Sequence, residues 1–194
     1  MCGIAGLIHK NKTVNIGKEL EDMLQALKHR GPDSTGFALY GEGENNSYIM
    51  RFKVGENVKE GSSASNEGDE VYDARKAQVD KYLGELGAEV VSEDQITPYS
   101  FKYIINYDKD LMEFSKKIES VEMTEILSIG KSLELVKDIG DAGVVSKQYG
   151  LDKIRGTHAI GHTRMATESG VDIRSAHPFW GYPFSDVSVV HNGQ

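Results

Sequence analysis

The run Cys2-Gly3-Ile4-Ala5-Gly6-Leu7-Ile8 constrains this chain more than any other stretch. It is short, apolar and punctuated by glycine, so it reads as a buried strand that begins almost at the first residue. An amphipathic helix follows. Leu20, Met23, Leu24 and Leu27 recur at i, i+3, i+4 and i+7, while Lys18, Glu19, Glu21 and Lys28 face away. The helix is expected to stop near Arg30, because Gly31-Pro32 offers a left-handed cap and then a residue that cannot continue a helix. Gly36 to Tyr40 and Tyr48 to Phe52 read as the second and third strands.

From Gly41 to Glu70 the composition shifts to Gly, Asn, Ser and Glu, and Gly61-Ser62-Ser63-Ala64-Ser65-Asn66-Glu67-Gly68 is the clearest flexible stretch. Val71, Ala74, Gln78, Tyr82 and Leu86 then form a helical stripe ending at Gly87. Tyr99 to Tyr107 reads as a strand, a helix starts at about Asp110, and Ile126 to Val136 holds one or two strands around Gly130. Residues 56–152 are therefore expected to be an α+β insertion in a core of about 1–55 and 153–194. The last stretch differs from the rest. Gly156 to Thr167 is a glycine-bounded alternating strand carrying ionisable groups, and Val187 to His191 is a short apolar strand ending in Asn192-Gly193. Four of the six histidines lie between positions 158 and 191, so the chemistry is expected there and at residue 2.

Composition narrows the classes. A formal net charge of −8 argues against a nucleic-acid groove or an anionic membrane surface, both of which want positive excess. A single cysteine excludes an internal disulfide framework and fits a reducing compartment. No apolar run approaches the ~18–20 residues of a spanning helix, and the first residues lack the basic region of a signal peptide, which reads as cytoplasmic. His158 and His162 would project from one strand face about 13 Å apart, too far to share an ion. No metal-ligand or phosphate-loop spacing is present, and Gly41-Glu42-Gly43 and Gly140-Asp141-Ala142-Gly143 stand isolated.

Three places can carry chemistry. A lone cysteine is usually a small buried hydrophobe. At position 2, however, removal of Met1 would put the Cys2 thiol and a free α-amine on one carbon framework, and such an amine titrates near ~7.7–8.0. Asn192-Gly193 reads either as a hairpin turn or as an oxyanion hole in which a side-chain amide and a backbone N–H converge on one oxygen. Arg164 cannot deprotonate to escape burial, so it needs an anionic partner, either an internal carboxylate or the carboxylate of a small substrate.

Taken in order, Met1-Cys2-Gly3-Ile4-Ala5-Gly6, Arg30-Gly31-Pro32-Asp33-Ser34-Thr35-Gly36, Gly161-His162-Thr163-Arg164-Met165-Ala166-Thr167, His177-Pro178-Phe179 and His191-Asn192-Gly193 resemble the class II glutamine amidotransferases, a branch of the N-terminal nucleophile hydrolases. The resemblance covers about 1–40 and 155–194. Met165-Ala166-Thr167-Glu168-Ser169 and the long middle segment look closest to stand-alone amidotransferase subunits related to the glutaminase domain of glutamate synthase. It implies an α+β fold, a four-layer α-β-β-α sandwich. It also implies that Cys2 attacks the glutamine amide, that Asn192 and Gly193 hold the oxyanion, and that Arg164 clamps the substrate α-carboxylate beside Met165 and Thr167. Asp33 and Arg30 would brace the loop near Cys2, and His177 and His191 would pack rather than act as bases. No cofactor is implied. The partners implied are glutamine and a synthase subunit or domain that accepts ammonia.

This sequence departs from the family at Met165 and Glu168, where many relatives carry an aromatic residue and a histidine or other polar residue. It also shows no acidic residue in the motif context that would bind the substrate α-amine. The sandwich is accordingly expected to be cut short at its C-terminus, with further chain or a second chain supplying the rest. Two other readings stand beside the glutaminase: an N-terminal nucleophile amidohydrolase that cleaves without transfer, and a catalytically silent regulatory or scaffold subunit.

Overall fold

The computed structural model describes residues 2–10, 12–43, 46–56, 67–165 and 173–192. The Ser-rich positions 61–66 of the expected flexible stretch lie outside the described residues, as do Thr167, Glu168, Ser169 and Gly193 of the motifs.

Local chemistry starts each helix. Asn15 accepts a hydrogen bond from the Lys18 amide at the head of α1 (Ile16–Ala26), whose Ile16, Leu20 and Leu24 are fully buried. The helix ends earlier than its periodicity suggests. Leu27 is the C-cap, and the chain tightens into a 3₁₀ turn over Lys28–Arg30. Gly31 is extended, with φ −171°, rather than left-handed. Its glycine answers to space: a Cβ there would stand 2.6 Å from backbone atoms of Thr163 and Arg164.

The strands are β1 (Gly3–Ile8), β2 (Ser34–Gly41), β3 (Tyr48–Lys53), β4 (Glu89–Thr97), β5 (Ser100–Asn106), β6 (Glu125–Gly130), β7 (Leu133–Ile139), β8 (Gly156–Arg164), β9 (Phe179–Trp180) and β10 (Ser188–Val189). Interleaved with them are α2 (Asp69–Leu86), α3 (Leu111–Ile118) and α4 (Ala142–Tyr149). One antiparallel sheet has the order β1-β8-β2-β7, a second has β4-β5-β3-β6, and β9 pairs with β10.

The cores define the layers. Leu20 and Leu24 of α1 and Val145 and Tyr149 of α4 pack on Phe37, Leu39 and Val136 of the first sheet. Val79 and Leu83 of α2 and Phe114 and Ile118 of α3 pack on Met50, Phe52, Phe101 and Tyr103 of the second. Ala38, Leu127, Leu133 and Leu135 fill the space between sheets. The result is an α+β sandwich layered helix, sheet, sheet, helix. Residues 56–152, read from sequence as an insertion, contribute strands to both sheets: β5 and β6 flank β3, and β7 pairs with β2 from Ser34↔Ile139 to Tyr40↔Leu133.

The sheets are also joined by charge. Glu134 on β7 accepts from Arg51 on β3 at 2.6 and 3.0 Å and from Lys102 at 3.1 Å. Burial pushes the Glu134 carboxyl upward, but the Arg51 and Lys102 charges outweigh it and hold it below the usual range. Lys53, wholly buried, donates to the Lys137 carbonyl at 2.6 Å and lies 3.4 Å from Asp138, which also accepts from the Tyr99 and Tyr149 hydroxyls at 2.9 and 2.6 Å. Burial lowers Lys53 below its ordinary value even with Asp138 opposing it.

Candidate active site

The β1–β8 ladder pairs Gly3 with Thr163, and β2 pairs Ser34 with Arg164, so Arg164 ends the central strand between the two segments. One residue beyond the ladder stands Cys2, half-buried, at the strand end where β8 closes with Arg164. Gly3 permits the close approach, since a Cβ there would lie 2.8 Å from Thr163 Oγ1. The Asp33 amide donates to the Arg164 carbonyl at 3.1 Å and the Gly140 amide to the Asp33 carbonyl at 3.0 Å, so the Arg30–Asp33 loop is fixed against the end of β8 by its backbone. Arg164 and Met165 are half-buried here.

From the other direction comes an arm, residues 173–192, which carries β9 and β10. Its end reaches back to residue 2: the Asn192 side-chain amide donates to the Cys2 carbonyl at 3.1 Å across 190 positions of sequence. Cys2, Arg164, Met165 and Asn192 are thus gathered at one end of the first sheet. Gly193 and Thr167, expected to complete the oxyanion hole and the substrate wall, lie outside the described residues.

His177 and His191, expected as packing groups, stand in a cluster of rings. His162 lies 4.9 Å from His177 between ring centroids, and His177 lies 6.4 Å from His191 and 4.5 Å from Phe179. His162 is 1% exposed, and neither ring nitrogen has a hydrogen-bond partner among the described residues. Burial, then the His177 ring and the Arg164 charge, lower its pKa to about 4. His177 is lowered by burial and by His191, Lys137 and Arg164. Both are therefore neutral at neutral pH, and neither supplies a positive charge to a thiolate. Among the described residues no three His, Cys, Asp or Glu side chains come together as metal ligands.

No family model matches the chain. Along its whole length it is 37% identical to a protein of Methanothermobacter thermautotrophicus named putative glutamine amidotransferase and 31% identical to the glutamine amidotransferase-like protein GlxB of Rhizobium meliloti. The chain is homologous to proteins named glutamine amidotransferase. It spans 61% and 58% of those two relatives. A third of it (34%) is 35% identical to a glutamine–fructose-6-phosphate aminotransferase of Pyrobaculum aerophilum, over 11% of that protein. No helix among the described residues is long and apolar enough to cross a membrane.

What the sequence did not reveal is how the arm is held. Asp186 and Ser188 stand in no motif, and only a folded chain brings them against the β6–β7 turn and Tyr40.

Proposed function

We propose that this protein is the glutaminase part of a class II glutamine amidotransferase of the N-terminal nucleophile type, supplying ammonia to a synthase domain or subunit. The observation that carries this reading is the hydrogen bond that joins Asn192 to Cys2 at the end of the strand bearing Arg164. Whole-length similarity to proteins named glutamine amidotransferase supports it independently.

With Met1 removed, the free amine of Cys2 takes the thiol proton, and the sulfur attacks the side-chain amide carbon of glutamine. The developing oxyanion needs donors on one side. An asparagine amide has two N–H groups, so one can remain on the Cys2 carbonyl while the other serves the oxyanion beside the Gly193 backbone N–H. The amine returns its proton to the leaving nitrogen, ammonia departs, and a γ-glutamyl thioester remains. Water, deprotonated by the same amine, then releases glutamate and restores the thiol. Arg164 is suited to a bidentate grip on the substrate α-carboxylate, with Met165 and Thr167 lining the pocket. Ammonia is mostly protonated at neutral pH, so its use requires an acceptor site close by.

Intact mass of the purified protein before and after a diazo-ketone analogue of glutamine tests this. The expected outcome is loss of Met1 and a single adduct on Cys2, suppressed by glutamine and absent in Cys2→Ala. A retained Met1 with an unreactive thiol would refute it.

A further inference from the structure

Along the arm that ends at His191–Asn192, the densest set of hydrogen bonds to the sandwich converges on one carboxylate. Asp186 accepts from the amides of Lys131, Ser132 and Leu133 at 3.0, 2.7 and 2.8 Å and from the Ser132 hydroxyl at 3.0 Å. Four donors from the β6–β7 turn thus converge on a half-buried side chain whose own backbone sits in the left-handed region, with φ 57°. The turn is shaped to receive it, since a Cβ on Gly130 would lie 2.7 Å from Asp186 Oδ1. Two residues on, the Ser188 hydroxyl is hydrogen-bonded to Tyr40 at 2.8 Å. Four residues after that, Asn192 meets Cys2.

We propose that Asp186 is a positioning residue for the reaction: its carboxylate locks the arm to the β6–β7 turn and thereby holds Asn192 against Cys2. A carboxylate accepting several backbone N–H groups fixes both position and orientation, because its bonds are charge-assisted and diverge from two oxygens. Asn192 itself is exposed and lies only three residues beyond β10, so its placement over Cys2 is set by what anchors the preceding residues. Arg164 ends β8, whose backbone is held on both sides by the ladders to β1 and β2. Loosening Asp186 therefore affects the transition-state donor and leaves the carboxylate grip in place.

The inference rests on the glutaminase reading, and its test separates the two. In the full-length protein, Asp186→Ala and Asp186→Asn are compared with Asp141→Ala, which removes the carboxylate cap of α4. Asp186→Ala is expected to lower glutaminase kcat about 10–100-fold with KM for glutamine within about 3-fold, since a small misplacement of a catalytic group costs rate on this order. Asp186→Asn, which keeps one acceptor oxygen and remains testable if the alanine variant does not fold, falls between. Asp141→Ala is expected to keep kcat within about 2-fold. Amide exchange gives the readout that needs no activity: Lys131, Ser132 and Leu133, together with Val189 on the arm, exchange at least about 10-fold faster in the Asp186 variants. An unchanged kcat in folded Asp186→Ala, or a loss no larger than in Asp141→Ala, overturns the proposal. If the wild-type protein does not hydrolyse glutamine, the functional reading falls, and the latch is judged by exchange alone, where unchanged rates on the arm overturn it.

Discussion

Cys2 and Asn192 meet through one hydrogen bond at 3.1 Å, and the chemistry proposed for them depends on a side chain that can donate twice. Replacing Asn192 by alanine removes the oxyanion donor and keeps Cys2, so glutaminase kcat is expected to fall about 10²–10³-fold while Cys2 still forms its adduct with the diazo-ketone. A steady-state assay beside intact mass reads both; a kcat within a few-fold of wild type would count against the oxyanion role. The neighbouring histidines make a different prediction. His162 titrates near 4 in the folded chain against an ordinary 6.5, so the unfolded chain binds a proton that the folded one refuses. Its contribution to stability is complete above about pH 6.5 and declines as pH falls toward 4. The midpoint of thermal unfolding is thus expected to drop between pH 7.5 and pH 5, and His162→Leu should drop less over the same interval. An equal drop in both would show that His162 is not a source of the pH dependence.

The helix α1 and the loop after it show how an element is ended by its neighbours rather than by its own sequence. Periodicity carries the helix to Leu27, yet the chain turns at Lys28 because Gly31 must pass against the backbone of Thr163 and Arg164. A methyl group at 31 has no room, and Gly31→Ala is expected to destabilise the protein by about 1–3 kcal/mol. Gly84, exposed within α2, has nothing within 4 Å of the corresponding position, so Gly84→Ala should stabilise by about 0.5–1 kcal/mol. Urea denaturation of the two variants gives opposite signs if space decides at 31 and backbone entropy decides at 84. At α4 the local signals were complete, with Asp141 accepting from the Val144 amide at 3.2 Å and Gly150 left-handed at φ 63°. Its short apolar stripe of Ala142, Val145 and Tyr149 was too brief to stand out from the strand preceding it. The strand β4 was invisible for another reason. Seven of its nine residues are exposed and three are acidic, and it is held by its ladder to β5.

Across the whole molecule, two sheets are joined by a thin apolar layer and by buried ion pairs. Removing one member of a buried pair leaves the other uncompensated, so Glu134→Ala is expected to cost about 3–5 kcal/mol. Arg51→Met with Glu134→Leu removes both charges and should recover most of that loss, as read by urea unfolding. A double variant as unstable as Glu134→Ala would mean that Lys102, also paired with Glu134, is the charge left stranded.

What short-range chemistry can specify is legible along the chain. The strand at Gly3–Ile8, the amphipathic helices at α1 and α3, the strand at β5 and the paired strands around Gly130 all follow from periodicity, caps and turn residues within a few positions of one another. At α2 the helix forms where expected but buries Tyr72, Val79 and Leu83 instead of the stripe from Val71 to Leu86, because the second sheet meets its other face. The sequence also made Cys2 and Arg164 candidates for chemistry by where they stand, while Asn192, which by itself reads as a turn, became one only through the order of motifs that resembles the class II glutamine amidotransferases. Folding alone brings Asn192 to Cys2, gives each sheet an edge strand from residues 125–139, and buries Arg51 against Glu134 and Lys53 against Asp138. Those contacts join residues tens to nearly two hundred positions apart. Their stability comes from desolvation and cross-sheet pairing that exist only once the layers have closed, so no window of the sequence contains them.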